Sequence, residues 1–214
     1  MILQDIINII ESVAPLSYQE SWDNSGLQVG DRNAEVHAAL LTVDVTESVV
    51  DEAIEKHCDL IISHHPLIFR GLKQITGSTT QERCIEKAIR HNIAIYSSHT
   101  SMDVYLHGVS GKIADKLDII NYHILCPTTD DNVGLGVIGE LKTPMKSDDF
   151  IHFVQNIFDC SLRYIKPCVE NITTVAICGG AGAEFITQAI AQGADIYITA
   201  DMKYHEMQAA YGQI

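Results

Sequence analysis

Basic residues are scarce in this chain of 214 residues. Fourteen lysines and arginines face 28 aspartates and glutamates, a formal charge of −14. Such a surface repels phosphate backbones, which argues against a nucleic-acid binder. No apolar run approaches the ~20 residues of a membrane-spanning helix. No basic stretch follows Met1, so the start does not read as a secretory signal. There is no C-x-x-C pair among the six cysteines and no Gly-x-Ser-x-Gly elbow. The even number of cysteines is not a disulfide framework in a chain this long, and the missing elbow leaves serine-hydrolase chemistry without support. A cytoplasmic, soluble protein with reduced cysteines is expected, with Cys58, Cys84 and Cys178 among apolar neighbours. Apolar residues make up 46% of the chain, enough for a full core without metals or disulfides as staples.

The apolar residues carry an alternating rhythm. Ile2 to Val13 places Ile2, Ile6, Ile9, Ile10 and Val13 on one helical stripe, and Pro15 ends it. Ser21 to Leu27 reads as a turn-rich loop. Ala38–Val45, Leu60–Ile62 and Ile93–Ser97 are compact apolar runs that read as buried strands. Helical segments Thr46–His57, Gln81–Arg90 and Val109–Leu117 separate or follow them. Strands alternating with helices predict an α/β chain with mixed, largely parallel sheets flanked by helices. The polar segment Cys126–Asn132 is the best boundary. It suggests one lobe over residues 1–127 and a second over 128–214. The second contains strands at Val133–Leu141, Thr174–Cys178 and Ile196–Thr199, and helices at Ser147–Phe158 and Ala183–Gln192. A shift of 136 residues sets Ala53-Ile54 on Ala189-Ile190, Asp59 on Asp195 and Ile62 on Ile198. The echo suggests two related lobes, although shared βα grammar gives similar matches.

Chemistry concentrates at strand ends, where open α/β sheets place ligands. His64 and His65 follow Leu60-Ile61-Ile62-Ser63, and Pro66 stops the strand. Two imidazoles at such a tip can splay towards two neighbouring ions, and imidazole suits zinc, iron, nickel or manganese. Adjacent histidines are also ordinary in polar loops. His99 and Asp103 follow the strand ending at Ser97. His99 reads as a ligand, as a group behind a ligand, or as a loop histidine. Asp103 reads as a ligand or as the N-cap of the helix that follows. Cys178-Gly179-Gly180-Ala181-Gly182 offers backbone amides to an anion, or is a tight βα turn. Asp201, His205 and Glu206 could join a site or open a solvated helix. Trp22 reads as core or a lid anchor rather than a stacking platform.

Taken together, these segments resemble the Ngg-one-interacting factor three family, many of whose bacterial members are called GTP cyclohydrolase 1 type 2 homologues. The matching segments, in order, are Trp22-Asp23-Asn24-Ser25-Gly26-Leu27, Ser63-His64-His65-Pro66, His99-Thr100-Ser101-Met102-Asp103, Gly134–Gly139, Cys178–Gly182 and Asp201-Met202-Lys203-Tyr204-His205. The resemblance implies a two-lobed α/β fold and two divalent metal ions per complete subunit. It also implies a homohexameric ring. By position it makes His64, His65 and Asp103 metal ligands. The family's further G-H-x-x-x-E ligand pair is absent from these residues, so the second lobe is expected to be C-terminally incomplete. Asp23, Asn24, His99, Asp201 and His205 are the remaining candidates to line the cleft. The functional expectation is a metal-dependent hydrolase acting on a nucleotide or related small molecule. The alternative is a metal-binding scaffold or regulatory protein without turnover.

Overall fold

The computed structural model describes residues 1–130 and 133–214. The chain forms two compact units, Met1–Met102 and Asp103–Ile214. The boundary expected after Pro127 falls inside the second unit. Its segment Cys126–Asn132 is polar, but strand pairing runs through it as far as Asp130. Asp131 and Asn132 lie outside the described residues.

The first unit contains α1 (Leu3–Val13), β1 (Gly26–Val29), β2 (Ala39–Thr42), α2 (Glu47–Glu55), β3 (Leu60–Ser63), α3 (Thr80–Arg90) and β4 (Ala94–Ser97). The short α4 (Thr100–Asp103) begins in it, and its last residue is the first of the second unit. The sheet order is β1-β4-β3-β2. β2, β3 and β4 run parallel, and β1 pairs antiparallel with β4. β3 and β4 are almost wholly buried, as their unbroken apolar runs predict. Val50 and Ala53 of α2, and Cys84 and Ala88 of α3, pack with Ile61 and Ile95. On α1 the buried positions are Leu3 and Ile7, while Ile2, Ile9 and Val13 are exposed. The expected stripe is therefore rotated. Ile6 and Ile10 of that stripe still pack, partly buried, against the Leu3 and Ile7 cluster; the apolar face is broad, so period alone does not choose which edge of it is buried. β1 was hidden in the turn-rich loop: it is four residues long and starts at Gly26, whose φ is +111°.

The second unit contains α5 (Val109–Lys116), β5 (Ile119–Asp130), β6 (Val133–Lys146), α6 (Ser147–Phe158), β7 (Asn171–Ala181), α7 (Ile186–Ala191), β8 (Ile196–Ala200) and α8 (Tyr204–Ala210). Its sheet order is β5-β6-β7-β8. Only the β7–β8 pair is parallel. The architecture is thus α/β with two four-stranded mixed sheets flanked by helices, and the second sheet is mostly antiparallel. α5 packs on β5, β6 and β7. Phe150 and Val154 of α6 join Ile124, Val137, Ile172, Val175 and Ile177 in its core.

The internal echo holds in atomic detail. Asp59 Oδ2 accepts from the amides of His37 (2.7 Å) and Ala38 (3.3 Å), and its own amide donates to Ala38 O at 3.0 Å. Asp195 Oδ2 accepts from the amides of Thr173 and Thr174, both at 2.8 Å, and its amide donates to Thr174 O at 2.9 Å. Each aspartate clasps the start of the parallel neighbour, where Ala39 pairs Leu60 and Val175 pairs Ile196. The helix ends match too. Cys58 N donates to Ala53 O and Ala194 N to Ala189 O. The left-handed position before each is His57 (φ +54°) and Gly193 (φ +77°).

Glu82 organises the segment that leads into α3. Its carboxylate accepts from Thr76 N and Thr76 Oγ1, both at 2.8 Å, from Ser78 N at 3.1 Å and from Thr79 Oγ1 at 3.2 Å. These bonds, the Thr76 amide first, hold its pKa below the usual glutamate value. A depressed folded pKa stabilises the protein above the unfolded pKa, and that contribution fades as pH falls through the folded value. Glu82→Gln should therefore lower stability at neutral pH and flatten its acid dependence, as read by urea unfolding across a pH series. An unchanged slope would remove Glu82 from acid sensitivity.

Candidate metal centre

β3 and β4 are parallel neighbours with Ser63 opposite Ser97. Their carboxyl ends therefore leave the sheet at one edge. The ladder runs slightly further: His64 N donates to Thr42 O at 3.2 Å, His65 N to Val43 O at 2.9 Å, and Ser98 N to Ser63 O at 3.0 Å. Ser63 Oγ donates to His65 O at 2.8 Å and lies 2.8 Å from Ser97 Oγ. This backbone frame fixes where His64, His65 and His99 leave the sheet.

The three imidazoles converge. Ring centroids are 4.9 Å apart for His64 and His65, 5.3 Å for His64 and His99, and 5.5 Å for His65 and His99. One nitrogen from each lies within 4.8 Å of the others. His64 and His65 thus draw together with His99 rather than splaying apart, because Pro66 follows and the strand has ended.

Each ring is oriented through Nδ1. His64 Nδ1 is 3.2 Å from Ser98 O, His65 Nδ1 is 2.7 Å from Asp44 Oδ1, and His99 Nδ1 is 2.9 Å from Asp23 Oδ1. Carbonyl and carboxylate oxygens only accept, so Nδ1 must donate. A neutral ring then carries its lone pair on Nε2. This is the arrangement by which ligating histidines are held elsewhere. Burial, then the neighbouring His65 and His99, push the His64 pKa down, which favours the neutral, donating ring. The donor set fits a borderline divalent ion: three imidazoles, each aimed by an oxygen.

Asp23 is the hub beneath His99. Its side chain is wholly buried. Besides the His99 ring, it accepts from Thr100 Oγ1 (2.6 Å), Thr100 N (3.1 Å), Ser25 Oγ (2.8 Å) and Asn24 N (2.7 Å). Burial alone would raise its pKa. The bonds from Thr100, His99, Ser25 and Asn24 outweigh it and hold the carboxyl at about 2. Asn24 faces the loop after Pro66 instead, and its Nδ2 donates to Ile68 O at 2.6 Å.

Two orienting groups were not legible as such. Asp44 sits inside the apolar run Ala38–Val45, which was expected to be a buried strand but forms the edge strand β2, with Leu41 and Val43 exposed; its only sequence signal is a carboxylate at the end of that run. Ser98 acts through its carbonyl, which no side-chain pattern reveals.

The remaining candidates belong to the second unit. Asp103 is the last residue of α4. It does not cap the helix that follows, because Gly108 is the N-cap of α5. Asp201 is exposed, with a left-handed φ of +51°. His205 is exposed at the start of α8, and Glu206 accepts from Lys203 N at 2.6 Å, the bond of a helix start. The glycine segment is strand rather than an open turn, and two of its amides are taken. β7 extends through it to Ala181. Gly179 N donates to Ser110 Oγ and Gly182 N to Thr199 Oγ1, so these amides are used internally. Among the described residues no helix is long and apolar enough to cross a membrane.

Known proteins share both the sequence and the fold. The family model Duf34/NIF3 (NGG1p interacting factor 3) matches residues 1–213. A GTP cyclohydrolase 1 type 2 homolog from Clostridium acetobutylicum is 37% identical over 206 residues, covering 95% of this chain and 77% of that protein. The NIF3-like protein 1 of Drosophila melanogaster is 34% identical over 210 residues, covering 96% and 71%. The crystal structure of a Bacillus cereus protein related to NIF3 superposes with a TM-score of 0.91 at 27% identity, covering 97% of this chain and 84% of that one. With its whole length matched and its α/β units shared, this chain belongs to the Duf34/NIF3 (NGG1p interacting factor 3) family.

Proposed function

We propose that this protein is a cytoplasmic divalent-metal hydrolase acting on a nucleotide or related small molecule. The observation that carries this reading is the histidine cluster with every Nδ1 spent on an oxygen. His64, His65 and His99 would hold the metal, with Asp103 added by resemblance to the family. Asp23, Asp44 and the Ser98 carbonyl would keep the proton of each ring on Nδ1, so that Nε2 is the nitrogen that would bind the ion. A bound divalent ion would lower the pKa of a coordinated water towards neutrality and polarise a substrate oxygen. It would also reverse the local sign of an acidic protein, and so admit an anionic substrate. The name of the Clostridium relative, a GTP cyclohydrolase 1 type 2 homolog, supports a nucleotide. A second ion and a homohexameric ring belong to the same reading.

The test is metal content per chain by inductively coupled plasma mass spectrometry after reconstitution with zinc, manganese or iron. Wild type should retain at least one ion, and the His64→Ala, His65→Ala double variant none. Equal metal in both would remove the histidines as ligands. Metal retained without hydrolysis across a nucleotide panel would leave the scaffold alternative.

A further inference from the structure

Trp22 is not part of the core: it is 58% exposed, and Phe69 beside it is 43% exposed. Their ring centroids are 6.0 Å apart, with the planes tilted by 60°. Both rings also face His99, at 6.1 Å from Trp22 and 6.4 Å from Phe69. An open aromatic corner thus stands one ring away from the histidine cluster.

The corner is braced from behind. Asn24 Nδ2 donates to Ile68 O at 2.6 Å, Ile68 N donates to Gln28 Oε1 at 2.9 Å, and Gln28 Nε2 donates to Asn24 O at 2.7 Å. These bonds lace the loop that carries Trp22 to the loop that carries Phe69. Asp23, adjacent to Trp22, is fixed by its own hydrogen bonds. Apolar rings held in solvent on a braced frame have already lost much of the freedom that binding would otherwise cost.

We propose that Trp22 and Phe69 form a stacking subsite for a planar heteroaromatic ring of the substrate. The proposal rests on the metal-centre reading and adds the place where the substrate's ring would bind. A ring stacked on the indole would be inclined to Phe69 by the same 60° that separates the two planes, so one aromatic stacks on it and the other packs against its edge at a tilt. His99 borders the same corner, so the ring's polar edge would lie against the histidine cluster. With a formal charge of −14 on the chain, phosphate attraction away from the ion is weak, and ring contact supplies the affinity.

Trp22 is the sole tryptophan among eight tyrosines, so emission excited at the red edge of the absorption band, where tyrosine absorbs little, reports this corner alone. The chain would be titrated, with and without zinc, with GTP, ATP, UTP and inorganic tripolyphosphate, which shares their phosphate chain and lacks a ring. At least one nucleotide should quench Trp22 emission, and tripolyphosphate should not. Phe69→Ala should weaken that nucleotide about tenfold, as base stacking on an aromatic side chain does. Phe69→Tyr should restore it, and bound zinc should be unchanged in both variants. Absence of quenching by every nucleotide overturns the proposal, as does unchanged nucleotide affinity in Phe69→Ala. The two readings fail separately. Quenching that responds to Phe69→Ala in a chain that binds no zinc keeps the subsite and removes the metal centre. Zinc bound without quenching does the reverse.

Discussion

Replacing Asp23 by alanine should both destabilise the first unit and weaken metal binding. The carboxylate is buried and gathers donors from Asn24, Ser25, His99 and Thr100. Its removal leaves backbone donors at Asn24 and Thr100 without their acceptor. A hydrogen bond to a charged group contributes ~1.5–3 kcal/mol, and unmet buried donors cost a similar amount. Losing several at once, with some recovery from water, puts the expected loss at about 3–5 kcal/mol. Urea unfolding measures it. The same variant frees the His99 ring, and loss of a ligand-orienting partner typically costs roughly 10–100-fold in metal affinity. Competition against a fluorescent zinc chelator reads that effect. Asp23→Asn keeps one acceptor oxygen and should fall between alanine and wild type in both measurements. Lower stability with unchanged zinc affinity would confine Asp23 to a structural role.

The second large effect is expected far from any metal ligand in sequence. Phe150 on α6 is wholly buried in the core of the Asp103–Ile214 unit. Its neighbours there include Val137, Val154, Ile172 and Val175. Phe150→Ala removes a large apolar surface and leaves a cavity that the sheet cannot close. Such substitutions cost about 3–5 kcal/mol. Chemical denaturation followed by circular dichroism should show the midpoint falling accordingly. Phe150→Leu should recover a good part of the loss, since it restores most of the volume. A change within the error of the midpoint would mean that α6 is not part of the cooperative core.

The histidine tips were readable because of what precedes them. Leu60–Ser63 and Ala94–Ser97 are buried parallel strands, and their apolar runs stop abruptly at polar residues. α6 was equally plain, with Phe150, Ile151 and Val154 on one face. β5 was not readable. Asn121 takes a positive φ inside it, and Pro127 interrupts the alternation that marks a strand. The polarity at Cys126 and Pro127 belongs to a paired strand. Asp44 and the Ser98 carbonyl act on the site through positions that carry no periodic signal. Trp22 misled in the other direction: a lone tryptophan is usually buried, and this one is not.

The repeated aspartate clasps at Asp59 and Asp195 bear on how such a chain diversifies. By the same spacing, His65 at the end of β3 corresponds to Asp201 after β8, and His57 corresponds to Gly193. The clasps preserve strand register in each copy, so residues beyond the strand ends are released from holding the fold. The residues beyond the two strand ends differ accordingly: imidazoles gather after β3, while Asp201 stands exposed after β8. Register held from inside the sheet leaves the sheet edge free to carry whatever polar groups its surroundings require.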